Sequence, residues 1–418
     1  MGISHCKVWL DGFHTNNIKL KKILYFACYD SPFGGSTRTT MYARKLVELG
    51  NEVTVVTSSY NHLMKFEKNL NSLYQEIDFE GFKLIEIYGF NYKSNKNNFL
   101  RLIHMFQYSF LAFFVCLMKL KKIDIVFGTS VPLFSGLMAY FLSKIKRTKF
   151  FFEIRDVWPE ELIEIGAIKK NSLFAMTLRI IEKFLYRKSE KIISSLPNVN
   201  SHVDKIVPNK DILYLPNAFD GNLKFDSYSG GSKDFLRVAY LGGTGRSMKI
   251  QTLLEAFLEL NSKKFSLKII GPVEIAKDFF ISKKIDIPEN ISLIDFIPRS
   301  EIPKYLNNAD VLVHPANDSN QLKFGINSNK ILEYLSSGRI VILAARVSND
   351  PVSLSKGGYV IPPENVKEMK KTLKFVYSLS PEERKKVGIM GKKFLNQSYS
   401  INLLSEKLNS FIKKKDFN

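Results

Sequence analysis

FGINSNKILEYLSSGRIVIL (Phe324–Leu343) reads as a loop, a short helix and a buried strand in succession. Phe324, Gly325, Ile326 and Asn327 have no period and include a glycine. Asn327 or Ser328 suits a helix N-cap, because its side-chain oxygen accepts an otherwise unpaired backbone N–H. Ile331, Leu332, Tyr334 and Leu335 recur at helical spacing, Gly338 stops the helix, and Ile340–Leu343 is an apolar run of strand type. Asn329 and Glu333 share a helix face, and Lys330 lies in the first turn. Free N–H groups at a helix N-terminus beside a lysine suit a phosphate. A carboxylate one turn deeper suits a sugar hydroxyl. Taken alone, the stretch is also a capped surface helix with a solvated charge pair.

Upstream, FLRVAYLGGTGRSMKIQTLLEAF (Phe235–Phe257) is a strand running into Gly242, Gly243 and Gly245, then a helix starting near Ser247. Glycine amides at a helix N-terminus, with Arg246 and Lys249 beside them, make a diphosphate cradle. The plain alternative is a glycine-rich turn with solvated basic residues. FSLKIIG (Phe265–Gly271), ISLIDFIP (Ile291–Pro298), EIPKYLNNADVLVHP (Glu301–Pro315) and GGYVIPPEN (Gly357–Asn365) continue a strand–helix alternation, and two helices close the chain.

The first half repeats the alternation. KILYFAC (Lys22–Cys28) is apolar enough to be buried on both faces; it runs into SPFGGSTRTT, a helix ending at Gly50, and the strand EVTVVTS (Glu52–Ser58). Gly34 and Gly35 let the backbone approach a ligand, with Arg38 just inside the helix; this turn matches neither the dinucleotide fingerprint nor the P-loop. KLIEIY (Lys83–Tyr88) and IDIVFGTS (Ile123–Ser130) are further strands. In KFFFEIRDVWPEEL (Lys149–Leu162) a strand ends at Ile154, so Arg155, Asp156 and Trp158 emerge where ligands of open parallel sheets bind. A salt bridge between Arg155 and Asp156 is the plain alternative. KIISSLP (Lys191–Pro197) and DILYLPNAFD (Asp211–Asp220) complete this half, and the polar, glycine-rich segment from Gly221 to Lys233 marks a boundary.

At 418 residues the chain exceeds one compact core, so two domains are expected. A formal net charge of +21 implies an anionic partner: nucleic acid, an anionic membrane face or phosphate-bearing substrates. Cys6, Cys28 and Cys116 show neither paired nor metal-like spacing and fit a reducing cytoplasm, and the N-terminus lacks the apolar core of a signal peptide. Between Arg101 and Lys119 no residue carries a formal charge, but His104, Gln107 and Ser109 interrupt an otherwise apolar run (Leu102–Met118). A spanning helix needs roughly 20 mostly apolar residues, so this is a domain helix. Either one face rests on lipid, with Lys119, Lys121 and Lys122 on an anionic leaflet, or the helix is fully buried beside solvated lysines.

The stretch at 324–338, with Glu153–Pro159 and 240–256, resembles the GT-B retaining glycosyltransferases of family 4, within them the subgroup that adds N-acetyl-L-fucosamine and similar sugars in bacterial O-antigen and capsule assembly. The resemblance covers nearly the whole chain after Lys21. It implies an α/β GT-B fold of two facing Rossmann-like domains: an acceptor domain (1–220), a nucleotide-sugar domain (221–395) and a final helix (396–418) returning to the first. It implies donor binding by Gly242, Gly243, Gly245, Lys249, Phe324, Gly325, Ile326, Asn327, Asn329 and Glu333, with Glu333 on the ribose. Gly34, Gly35, Arg38, Arg155 and Trp158 would face the acceptor in the cleft, and Asp156, Arg246 and Lys330 would serve the reaction. Family members often carry a second glutamate eight residues before the first, where this chain has Gly325, so no carboxylate reaches the donor sugar from there. A histidine common before the aspartate of the first-domain loop is absent, and Met248 stands where a lysine is common.

The expected activity is transfer of a sugar from UDP to a lipid-diphosphate-linked saccharide on the inner face of the cell membrane. The donor is a substrate, no cofactor is expected, and the absence of an Asp-x-Asp motif makes metal independence the expectation. A UDP-sugar epimerase on the same architecture is the alternative, but it leaves the lysine-flanked apolar helix without purpose. A nucleic-acid binder ranks last, because the lysines are spread along the chain rather than gathered with aromatic residues in one module.

Overall fold

The structure, a computed structural model, describes residues 20–34, 38–60, 70–92, 98–243 and 247–414. The first sheet is built from β1 (Lys22–Phe26), β2 (Glu52–Ser58), β3 (Tyr74–Phe79), β4 (Phe82–Ile87), β5 (Ile125–Thr129), β6 (Lys149–Ile154), β7 (Lys191–Ser194) and β8 (Ile212–Tyr214). Their spatial order is β3-β4-β2-β1-β5-β6-β7-β8. The second sheet holds β9 (Leu236–Leu241), β10 (Phe265–Ile270), β11 (Ile291–Ile294), β12 (Val311–Pro315), β13 (Ile340–Ala344) and β14 (Gly358–Ile361), ordered β11-β10-β9-β12-β13-β14. Every pairing is parallel except β3 with β4. The near-continuous apolar runs follow from this, since helices cover both faces and most residues of the central strands are buried.

β4 lies one residue before the expected Lys83–Tyr88, and it has an antiparallel partner that the sequence reading lacks. Glu80 (φ 46°) and Gly81 (φ 88°) make the two-residue turn between β3 and β4; left-handed backbone at both positions matches the strand twist of a hairpin.

The apolar run is the helix Asn98–Lys119. Met105, Tyr108, Ala112, Val115 and Cys116 bury one face in the first core, where Tyr108 Oη donates to the Val56 carbonyl at 2.7 Å. Phe110, Phe114 and Met118 stay exposed on the other face, at 49%, 51% and 70%. A fully buried helix is therefore ruled out. The helix is long and apolar enough to cross a membrane by length and composition, but it is docked along one side.

Two chain segments cross between the domains side by side: Phe219 N–H donates to the Tyr399 carbonyl at 2.8 Å, and Ile401 N–H to the Phe219 carbonyl at 3.1 Å. The final helix, Ile401–Lys413, then buries Ile401, Leu404, Leu408 and Phe411 with Ile23, Tyr25, Phe127 and Phe151 of the first sheet. Buried Lys191 donates to the Phe411 and Lys414 carbonyls at 3.0 and 2.8 Å, a cation at the end where the helix dipole is negative.

Candidate active site

The carboxyl ends of both sheets meet at a cleft of about 350 Å³. The loop Phe324–Ser328 crosses it and is held by the first domain. Phe324 seats its ring in the first domain's core, 5.5 Å from the His202 ring, and its carbonyl accepts from Asn198 N–H at 3.0 Å. Gly325 (φ 120°, ψ 178°) passes so close to Pro197 that a Cβ would lie 2.7 Å from its Cγ. That closeness gives a physical reason for glycine at this position. Asn327 exchanges two hydrogen bonds with Asn217 of the domain connection, at 2.9 and 3.0 Å, and Asn217 Nδ2 donates to Asn329 Oδ1 at 2.6 Å. Asn327 is thus occupied between domains and does not cap the helix. Ser328 takes the N-cap position without a side-chain cap bond; its carbonyl accepts from Ile331 N–H at 3.2 Å, and among the described residues no side chain caps the first turn of Asn329–Ser336.

Lys330 projects from that first turn into the cleft. Its Nζ donates to Tyr240 Oη at 3.1 Å and to the Gly243 carbonyl at 3.2 Å. Gly242 (φ 133°) permits this position: a Cβ there would come 2.6 Å from Lys330 Nζ. Burial lowers the Lys330 pKa to about 8, only partly offset by Glu333. Glu333, on the next turn, points into a smaller pocket beside Asn329 and Asp220 and lies 3.3 Å from Arg299 Nη2. Burial raises its pKa, and Arg299 opposes that rise.

From the first domain come Asp156 and Glu161. Asp156 is open to the cleft, yet the protein crowded around it raises its carboxyl pKa against the opposing charge of Arg155. Glu161 is raised to about 7 by burial, with Asp156 and Glu164 adding repulsion.

Several expected site residues are placed elsewhere. Arg38 is buried, donating to Glu153 Oε1 at 2.8 Å and to the Leu215 and Pro216 carbonyls at 2.6 Å each. Arg155 bonds Asp30 at 2.6 Å and Glu153 at 3.0 Å. The two arginines, with Arg155 the stronger, outweigh burial and hold Glu153 at about 2. Arg38 therefore ties the first domain to the connection, Arg155 is bound within the first domain, and neither lines the cleft. Trp158 is 5% exposed and packs in the core. Gly34 closes a short turn, Pro32–Gly34. Lys249 Nζ faces Glu364 at 3.4 Å, and Ser247 and Met248 line the cleft in its place. The helix starts at Ile250 and not near Ser247, which turns Lys249 outward. Gly35, Gly245 and Arg246 lie outside the described residues. Asn217, Arg299, Glu161 and His314 were missed. For His314 a signal existed, since it stands at the carboxyl end of a parallel strand.

Solved structures share this arrangement. A sucrose-phosphate synthase from Thermosynechococcus elongatus is similar at TM-score 0.71 and 12% identity, over 94% of this chain and 98% of that one. Anabaena Alr3699/HepE in complex with UDP and glucose is similar at TM-score 0.66 and 12% identity, over 94% and 100%. A glycosyltransferase from Rickettsia africae follows at TM-score 0.61 and 16% identity, over 95% and 100%. The fold is GT-B. Within the GT-B frame, residues 236–378, which carry the second sheet, match the family model of group 1 glycosyl transferases. No curated protein sequence matches the chain. The GT-B cleft thus brings Lys330, Gly242, Gly243 and the loop from Phe324 to Asn327 together, and leaves Arg38, Arg155, Trp158 and Lys249 out.

Proposed function

We propose that this protein is a glycosyltransferase that moves a sugar from UDP to a lipid-diphosphate-linked saccharide on the inner face of the cell membrane. The transferred sugar is an N-acetylated amino sugar such as N-acetyl-L-fucosamine, and the product enters O-antigen or capsule assembly. The observation that carries the reading is Lys330, lying across Gly242 at an uncapped helix N-terminus inside the cleft. Breaking the glycosidic bond builds negative charge on the departing diphosphate, so a fixed cation and fixed amides favour the transition state over the ground state. Glu333 binds the ribose, and Asp156 orients the acceptor across the cleft. The acceptor attacks from the leaving-group face, and the diphosphate takes its proton, with retention of configuration. The match of residues 236–378 and the UDP in the HepE structure support this assignment.

The test is UDP release from a panel of UDP-sugars, with and without a GlcNAc-diphosphate-lipid, read by product mass and repeated in EDTA. Acceptor-dependent UDP release that survives EDTA is the expected outcome. Interconversion of UDP-sugars without acceptor would favour the epimerase instead, and loss of activity in EDTA would end the metal-independent scheme.

The membrane surface belongs to the same proposal. Phe110, Phe114 and Met118 share the exterior with Phe141 and Ile145 of the adjacent helix Leu133–Lys146, all exposed. Lys119, Lys121 and Lys122 follow immediately and are exposed. Apolar surface rimmed by lysines fits an anionic leaflet. The protein is expected to sediment with phosphatidylserine vesicles and to be released by salt. Replacing the three lysines with glutamine should weaken binding by about 1 kcal/mol per charge. Retention that yields only to detergent would indicate an inserted helix.

A further inference from the structure

His314 is the last polar side chain of β12 before the strand ends at Pro315. Alternation along the strand puts it on the face of Leu312 and Ala316, which pack with Ile331 and Leu335 of the helix that carries Lys330. The ring is 1% exposed and lines the cleft. Neither Nδ1 nor Nε2 has a hydrogen-bond partner among the described residues. Buried polar groups are nearly always paired, so a side chain with both ring nitrogens unpaired among the described residues, on the wall of a cleft, calls for a hydrogen-bonding partner from the cleft itself.

The chemistry of the ring narrows that ligand. Burial and the nearby Lys330 charge lower the imidazole pKa to about 3, so the ring is neutral. A neutral imidazole carries one N–H donor and one lone-pair acceptor. An ionised diphosphate offers only acceptors and leaves the lone-pair nitrogen unpaired. A sugar hydroxyl or acylamino group offers both. The cleft that His314 lines also presents Asp156, Glu161, Asn317 and Gln321, groups that suit sugar hydroxyls, beside Lys330, the cation assigned above to the diphosphate.

We infer that His314 is a specificity-determining residue that hydrogen-bonds the transferred sugar of the donor through its neutral ring. The inference rests on the donor-site reading above and deepens it. The decisive variants are His314→Leu, of similar volume without polar atoms, and His314→Gln, which retains a donor and an acceptor. UDP, UDP-glucose and UDP-N-acetylglucosamine are titrated against each, and thermal melting is recorded without ligand. His314→Leu is expected to melt no lower than wild type, because an apolar isostere relieves an unpaired buried group. It should bind UDP within about twofold of wild type and the better UDP-sugar about tenfold more weakly, the size of one or two lost hydrogen bonds. His314→Gln should recover part of the difference. Equal weakening of UDP and UDP-sugar would place His314 on the diphosphate and overturn the inference, as would unchanged binding of both. Wild-type protein that binds neither UDP nor a UDP-sugar would refute the donor site itself.

Discussion

Lys330→Ala is expected to lower turnover by on the order of 10²-fold while weakening donor binding much less. The diphosphate gains charge as the bond breaks, so the lost cation is missed most in the transition state. The pH dependence provides a second, independent check. Burial holds Lys330 at about 8, so the cleft loses this charge as pH rises through that value. Donor affinity should therefore fall above about pH 8, and the fall should vanish in Lys330→Met. Stability runs the other way. A lysine whose folded pKa is lowered from 10.5 destabilises the fold while protonated, and this penalty is relieved as pH rises from about 8 to 10.5. Opposite pH trends for donor binding and for thermal stability, both lost in the methionine variant, identify Lys330 as the group responsible. Turnover unchanged in Lys330→Ala would remove it from the leaving-group site.

Gly325→Ala should be nearly as severe although it adds one methyl group. The backbone there has φ 120° and ψ 178°, a region essentially reserved for glycine, and a Cβ would press on Pro197 across the cleft. Strain and overpacking together cost roughly 3 kcal/mol or more. That penalty falls on the contact between domains, because the Cβ would meet Pro197 beside the Phe324–Asn198 bond. The expected result is unchanged secondary structure, a larger radius in small-angle scattering, and donor binding weakened by about 10²-fold if closure is coupled to binding. Gly325→Glu should do worse, since its longer side chain must leave through the same contact. Wild-type affinity and radius in the alanine variant would show that this contact does not hold the cleft.

Much of this architecture is visible in local patterns. Runs such as KILYF, KFFFEI and IVILA are mainly apolar because parallel strands are covered on both faces, and the sheets that contain them follow from strand–helix alternation. The placing of Lys330 at a helix start and of Gly242 at a strand end was legible for a related reason, since both positions follow from short-range backbone geometry. The hairpin of β3 and β4 was legible in principle through Glu80-Gly81, but β3 is an edge strand with alternating exposure and carries little apolar signal.

Long-range pairing is what the residues could not announce. Arg155 and Arg38 stand at a strand end and a helix start, where ligand contacts are common. Their partners Asp30 and Glu153 lie more than a hundred residues away in sequence, and only the packed sheet brings those charges together. Lys249 turned outward because the helix begins at Ile250, and a shift of a few residues along a helix rotates a side chain from cleft to solvent. Trp158 joined the first domain's core, a tertiary contact that no local period encodes. His314 acquired its meaning last of all. Period and composition place it at a strand end, but that both nitrogens stay unpaired among the described residues depends on every neighbour that might have met them, and that is a property of the assembled cleft.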